Sequence, residues 1–254
     1  MKNLFIAALT GLITLSAQAQ VSETRKSIPS TTIDVKNGIE VIFIQSNTPT
    51  LKVEADNAAS LSRIVTEYKG NTLKVYMKDV ESAGVEHAKA KVYVSQNNLD
   101  TFKASTGATI RTEGVVVLPK ANFNLSSGAT FYGTLTVNGT CSIKAAGGSG
   151  FKGRITTDTF NANVTGGAYV RVIGKANNAD IYCGSASIMA DNFQCKKANV
   201  RAQNASYASI FANEYIKADT DTSSSITYYG NPTDTDLGTN GYAVAKTGGK
   251  VALN

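Results

Sequence analysis

The chain has no tryptophan, a single histidine, three cysteines and only 17% charged residues in 254 positions. Each scarcity excludes something. His87 alone cannot build a multi-histidine metal centre, and it has no neighbouring partners for a Ser–His–Asp relay. An odd number of cysteines (Cys141, Cys183, Cys195) rules out complete intramolecular pairing. No CxxC or other metal spacing is present, so small buried side chains are the expected role. The charges are scattered, without a Lys/Arg block, which argues against nucleic acid as a partner. The missing tryptophans remove the largest stacking faces from any sugar platform.

Only one stretch is strongly apolar. Leu4–Leu15 follows Lys2 and precedes Ala17-Gln18-Ala19. This is the pattern of a secretory signal with cleavage after Ala19, and the run is too short to span a bilayer. No cysteine stands at the cleavage point to take a lipid. The mature chain is then 20–254 and carries no transmembrane segment. Removing Lys2 from 25 basic residues leaves 24 against 19 acidic ones, a formal charge of +5.

What the chain has in abundance is repetition. Small-residue corners recur at Thr106-Gly107-Ala108, Ser127-Gly128-Ala129, Gly147-Gly148-Ser149, Gly166-Gly167-Ala168, Gly184-Ser185-Ala186, Gln203-Asn204-Ala205 and Thr222-Ser223-Ser224. Their third residues are separated by 21, 20, 19, 18, 19 and 19 positions. Two residues after each comes a large side chain: Ile110, Phe131, Phe151, Val170, Ile188, Tyr207 and Ile226. About six residues before each comes another column: Phe102, Phe123, Ile143, Ala162, Ile181, Val200 and Ala218. A further unit at Asn240-Gly241-Tyr242 would add Val244. Short alternating strands bounded by Gly, Asn, Ser and Asp, with no 3.6-residue period, predict an all-β parallel β-helix of about 19 residues per rung. A propeller fits worse, because pairs of units would make only about four blades.

Residues 20–100 lack the repeat and predict an N-terminal antiparallel β subregion. Gly38–Gln45, Thr50–Ala55 and Lys89–Ser95 alternate as strands. Asn57–Ile64 predicts a short helix with Asn57 as its cap. Lys69-Gly70-Asn71 joins Val65–Tyr68 to Leu73–Met77 as a hairpin. The organisation expected is a signal at 1–19, the β subregion at 20–100 and seven to eight rungs at 101–254.

Several of these stretches together resemble the auto-transporter adhesin, head GIN domain family of Bacteroidetes-type bacteria. They are the run Gly38–Met77, the Ser126-Ser127-Gly128-Ala129 corner and the closing Ile226-Thr227-Tyr228-Tyr229-Gly230-Asn231-Pro232. The resemblance implies a right-handed parallel β-helix on or near the cell envelope, with no active site to carry over. The chain shows no C-terminal series of amphipathic strands that would build a membrane barrel.

Two functions follow. The first is an exported, non-catalytic scaffold that binds a surface glycan or envelope protein without a cofactor. Its candidate outward residues are Tyr132, Tyr169, Tyr182, Tyr228, Tyr229, Arg111, Arg154 and Arg171, since Tyr and Arg together suit recognition. The second is a polysaccharide lyase or hydrolase. Its carboxylates would have to meet across rungs, because Glu113 and Asp191 lie four rungs apart. Asp219 and Asp221 share one side of a strand, and Ser149 in Gly147–Gly150 is explained as a corner rather than a nucleophile. Self-association through exposed strand ends is a third expectation.

Overall fold

The computed structural model describes residues 20–78 and 90–247. The signal expected at 1–19 and the segment containing His87 lie outside the described residues. The chain winds into a parallel β-solenoid of about eight turns, roughly 19 residues apart, with some antiparallel strands.

Each turn is built around its corner. At Thr106-Gly107, Ser127-Gly128, Gly147-Gly148, Gly166-Gly167 and Asn204-Ala205 the chain takes two residues of left-handed backbone between strands; at Ser185 it takes one. Consecutive corners are joined by hydrogen bonds. The Gly107 N–H donates to Ser127 O (2.9 Å), that of Gly128 to Gly147 O (3.0 Å) and that of Gly148 to Gly166 O (3.0 Å). The third corner residue is buried at Ala108, Ala129, Ser149 and Ala168. Ser149 donates its hydroxyl to Leu125 O at 3.1 Å, so it is a corner residue, as its repeat position implies.

Both expected inward columns are buried, with one exception. Tyr207 is 39% exposed, and Ala208 takes its place in the interior. The parallel register pairs Ile188 with Ala208 and Ala208 with Ile226. The cause is an extra corner residue: Asn204 and Ala205 both have positive φ (60° and 57°), and the buried third position is Ser206. Ala205 therefore adopts a conformation unusual for a residue with a Cβ. Sequence spacing alone hid this, because either frame keeps a small residue at the bend.

Along the interior, Phe43, Phe102, Phe123, Phe131 and Phe151 form a continuous aromatic stack. Successive ring centroids stand 5.6, 5.0, 4.5 and 4.9 Å apart. Stacked and edge-to-face pairs alternate, as aromatic quadrupoles favour. The three thiols are free and buried. Burial pushes Cys141 and Cys195 up to about 12 and raises Cys183 as well. Iodoacetamide at pH 8 should therefore leave the native protein unlabelled and modify all three cysteines in urea, read by intact mass; native labelling would contradict this burial.

The parallel stack extends upstream of residue 101. Thr32–Val35 and Glu40–Gln45 pair in parallel with Thr101–Ala104 and with Thr109 onward. They meet at a corner of the same type, Asn37-Gly38-Ile39, with φ of 61° and 70° at the first two residues. Gly38 N–H donates to Thr106 O at 2.9 Å, continuing the corner ladder. Ile39 in place of Ala or Ser, and the long excursion over 46–100, conceal this turn in the sequence.

That excursion folds back over the end of the rod. Thr72–Met77 and Ala90–Gln96 extend the two sheets in parallel. Antiparallel strands then close them, Ile64–Lys69 on one and Thr50–Ala55 followed by Val21–Arg25 on the other. The outermost strands are short and carry Glu23, Arg25, Glu67 and Lys69, which discourages edge-to-edge pairing. The hairpin turns at Gly70, and the helix is Ala58–Arg63. Asn57 caps it by accepting from Ser60 N–H at 2.8 Å.

Asp221 secures the slipped corner from the next turn. Its carboxylate accepts from Asn204 N–H (2.6 Å) and from the N–H and hydroxyl of Ser223 (3.0 and 2.9 Å). These bonds hold its pKa at about 2, below the ordinary 3.8, the Asn204 N–H contributing most and the Ser224 hydroxyl next. A lowered folded-state value stabilises the fold above the unfolded pKa and is lost as pH falls through about 2. Asp221→Asn should lower the urea midpoint at pH 7, and the deficit should shrink as pH falls from 4 to 2. A deficit constant with pH would show that the carboxylate charge does not matter.

Candidate functional site

A solenoid places residues that are a full turn apart in sequence next to each other in space, one strand spacing of about 4.8 Å apart. Outward positions therefore form ladders perpendicular to the strands. The ladder three residues past the corner reads Arg111, Tyr132, Lys152, Arg171 and Met189, each paired in register with the next.

These side chains pack on one another. The Arg111 guanidinium lies over the Tyr132 ring at 4.5 Å from its centroid. Lys152 Nζ stands 5.4 Å from the centroids of both Tyr132 and Tyr169. Arg171 Nη2 reaches the Met189 sulfur at 3.4 Å. Cation–π contacts of this kind are worth about 0.5–1 kcal/mol at exposed sites, and they restrict where the cations can be. Tyr169 leans across Gly150, where any Cβ would collide with its ring.

Beside the ladder runs a groove of about 610 Å³. Its floor is Gly133 and Gly153, and its walls include Thr112, Thr134, Val115 and Ile173. A Cβ on Gly133 would fall 2.5 Å from Thr112 Oγ1, and one on Gly153 would fall 2.9 Å from Gly133 O. The near wall comes from a bulge. Three residues, Thr112-Glu113-Gly114, stand opposite the single Gly133, with Gly114 at φ 72°. This bulge also explains why the first repeat is 21 residues long.

Arg111, Lys152 and Arg171 are the charged residues lining the groove, and no carboxylate lines it among the described residues. Glu40 lies at one end, 3.3 Å from Arg111 and 3.8 Å from Lys91. Among the described residues neither Lys152 nor Arg171 has an acidic partner within 4.0 Å.

The sequence candidates divide accordingly. Tyr132, Tyr169, Arg171 and Arg111 come together. Arg154 is exposed just beyond Gly153, in register with Thr134 and Ile173, and is not part of the groove lining. Tyr228 is a correction: it is 6% exposed and lies in register with buried Ile210. Its position, four past the corner, is inward. Tyr229 does point away from the core, but at the far end of the rod. Burial first, then Tyr207 and Asp191, raise its pKa. Tyr182 lies on another face with Lys144, Asn163 and Asp180. Lys152 was missed, although the column three past each corner already reads Arg, Tyr, Lys, Arg.

Three of the four acids weighed for catalysis have other partners. Asp219 pairs with Arg201 at 3.4 Å, and Asp221 caps the neighbouring corner. Asp191 accepts from the Asn192 side-chain amide at 2.8 Å.

Fold and groove together define a parallel β-solenoid with a cationic, tyrosine-spaced ladder on one edge. The chain belongs to the family described as putative auto-transporter adhesin, head GIN domain, which matches residues 30–232. Three crystal structures share its fold. One is a putative adhesin from Parabacteroides merdae, 19% identical, with a TM-score of 0.78 over 90% of this chain and 96% of the other. Another is a putative lipid binding protein from Parabacteroides distasonis, 19% identical, TM-score 0.74, over 90% and 97%. The third is a putative adhesin from Bacteroides fragilis, 16% identical, TM-score 0.63, over 91% and 94%. No curated protein matches the chain. Among the described residues no helix is long and apolar enough to cross a membrane.

Proposed function

We propose that the protein is exported by its first 19 residues and acts at the cell envelope as a non-catalytic adhesin-type module that binds a surface glycan along the Arg111–Arg171 groove. The observation that carries this reading is the cation–tyrosine ladder, in which Lys152 is held 5.4 Å from two tyrosine rings and faces an open groove. Side chains already ordered by packing lose less freedom when a ligand arrives. The groove's volume falls within the range of ordinary ligand sites, and its hydroxyl-bearing and glycine-floored lining suits a polyol. The family description supports an adhesive role. The engagement of Asp219 and Asp221 in an ion pair and a corner cap favours binding over hydrolysis.

The test is a glycan array probed with purified 20–254, beside an assay for new reducing or unsaturated ends. The wild type should retain particular glycans and release no ends. Lys152→Ala combined with Arg171→Ala should cut retention about tenfold, on the scale of two exposed charge interactions. Chain cleavage would replace this reading with the lyase or hydrolase one. Undiminished retention by the double variant would move the site elsewhere.

A further inference from the structure

The geometry points to an acidic polysaccharide, a chain of uronic-acid sugars lying along the rod axis, as the ligand class of this groove; this rests on the glycan-binding reading above. Three cations line one edge with no lining carboxylate. Of the neighbouring acids, Glu40 engages Arg111 and Glu113 is exposed in the bulge between Thr112 and Gly114. Among the described residues neither Lys152 nor Arg171 has an acid within 4.0 Å. Lys152 and Arg171, one strand spacing apart, repel, and an unliganded fold gains nothing from aligning them. Tyr132, which stands between Arg111 and Lys152, and Tyr169 relieve part of this cost by offering their ring faces to Lys152.

Direction comes next. Arg111 and Arg171 belong to turns three rungs apart, roughly 14 Å along the axis. A small anion would meet at most two of these cations at once. A polymer with one carboxylate per sugar can meet all of them, since a pyranose advances the chain by about one strand spacing. Along this path the groove is lined by the backbone of Gly133 and Gly153, which carry no side chains.

Chemistry then separates the sugar from other polyanions. Thr112 and Thr134 line the groove, Tyr132 adds a phenol, and its apolar residues, Val115 and Ile173, stand on the wall. An acidic protein would want a buried aromatic or aliphatic anchor pocket, which this shallow surface does not offer. Hydroxyl and phenol groups beside fixed cations match sugar hydroxyls alternating with carboxylates.

The probe is polygalacturonate, compared with its methyl ester, poly-aspartate and phosphatidylglycerol vesicles. Binding to 20–254 is measured by isothermal titration in low and physiological salt. Polygalacturonate should bind, at least tenfold more tightly than the methyl ester. The affinity should fall with salt and drop about fivefold for Lys152→Gln and again for Arg171→Gln. Lys197→Gln, on another face, should leave it unchanged and shows that the loss is local. Equal binding of the methyl ester would overturn the acidic class. If Tyr132→Ala still weakened that binding, the groove would survive as a neutral-glycan site. Tighter binding of poly-aspartate or of the vesicles would overturn the sugar. Binding to none of the four, together with an empty glycan array, would remove both this inference and the function on which it rests.

Discussion

Phe131→Asp should abolish the cooperative unfolding transition of the mature chain, leaving far-UV circular dichroism without the β signature at 25 °C. Phe131 is fully buried, and its ring lies 4.5 Å from that of Phe123 and 4.9 Å from that of Phe151. Removing a buried phenylalanine costs about 3–5 kcal/mol in transfer and cavity terms. Placing a carboxylate there adds several kcal/mol more, because no partner for the charge is at hand. The sum rivals the roughly 5–15 kcal/mol that holds a domain together. In a stacked architecture each rung is stabilised by its neighbours, so the loss spreads along the rod in both directions. Val117→Asp is the matched control. Val117 is 48% exposed on the adjoining turn, and its replacement should shift the midpoint little. Normal melting of Phe131→Asp would mean that the interior file has been misplaced.

Gly174→Ala should lower the melting temperature by about 10 °C. Gly174 has φ of +123°, a region essentially closed to residues with a Cβ, and an added Cβ would run into the carbonyl oxygen of Ile155 on the preceding turn. Backbone strain of this kind costs about 1–3 kcal/mol, and the clash with a main-chain atom adds to it. For a chain of this size each kcal/mol is worth roughly 2–4 °C. The corner glycines are the instructive contrast. Gly148 has φ of 72° with open space around its Cβ position, so Gly148→Ala should cost about 1 kcal/mol. Thr106, Ser127, Ser185 and Asn204 already occupy such corners with positive φ. Calorimetry of the two alanine variants decides the order; a larger loss at Gly148 would contradict it.

That order of sensitivity could not be read from composition. The corners attract attention in the sequence because they recur, yet their glycines are the replaceable ones. Gly174 sits in an unremarkable stretch, Val172-Ile173-Gly174-Lys175, and becomes irreplaceable only because the Ile155 carbonyl of the previous turn lies against it. The same holds for the candidate site. Tyr132, Tyr169 and Arg171 could be nominated from their outward phase within a strand. Lys152 stands in the same column of the repeat, but its contacts with two tyrosines and the glycine floor emerge only from the structure, since they run across the sheet. Tyr228 fails for a related reason. From Val172 onward the position four past the corner is inward, as the buried Val172, Ala190 and Ile210 are, and Tyr228 continues that file.

The amino-acid order by itself determined that this chain coils. A period near nineteen, small residues at the bends and apolar residues two positions later leave stacking as the way to bury a shared interior, because a lone turn cannot cover its own apolar face. It also determined the helix capped by Asn57 and the hairpin at Gly70, which rest on contacts between near neighbours. Tertiary structure decided the rest. It decided that the coil begins at Thr32, that Ala208 displaces Tyr207 from the interior, and that cations from separate turns form one ladder. Those outcomes depend on hydrogen-bond register between turns, and a single inserted corner residue or bulge shifts that register without disturbing the repeat that announces the fold.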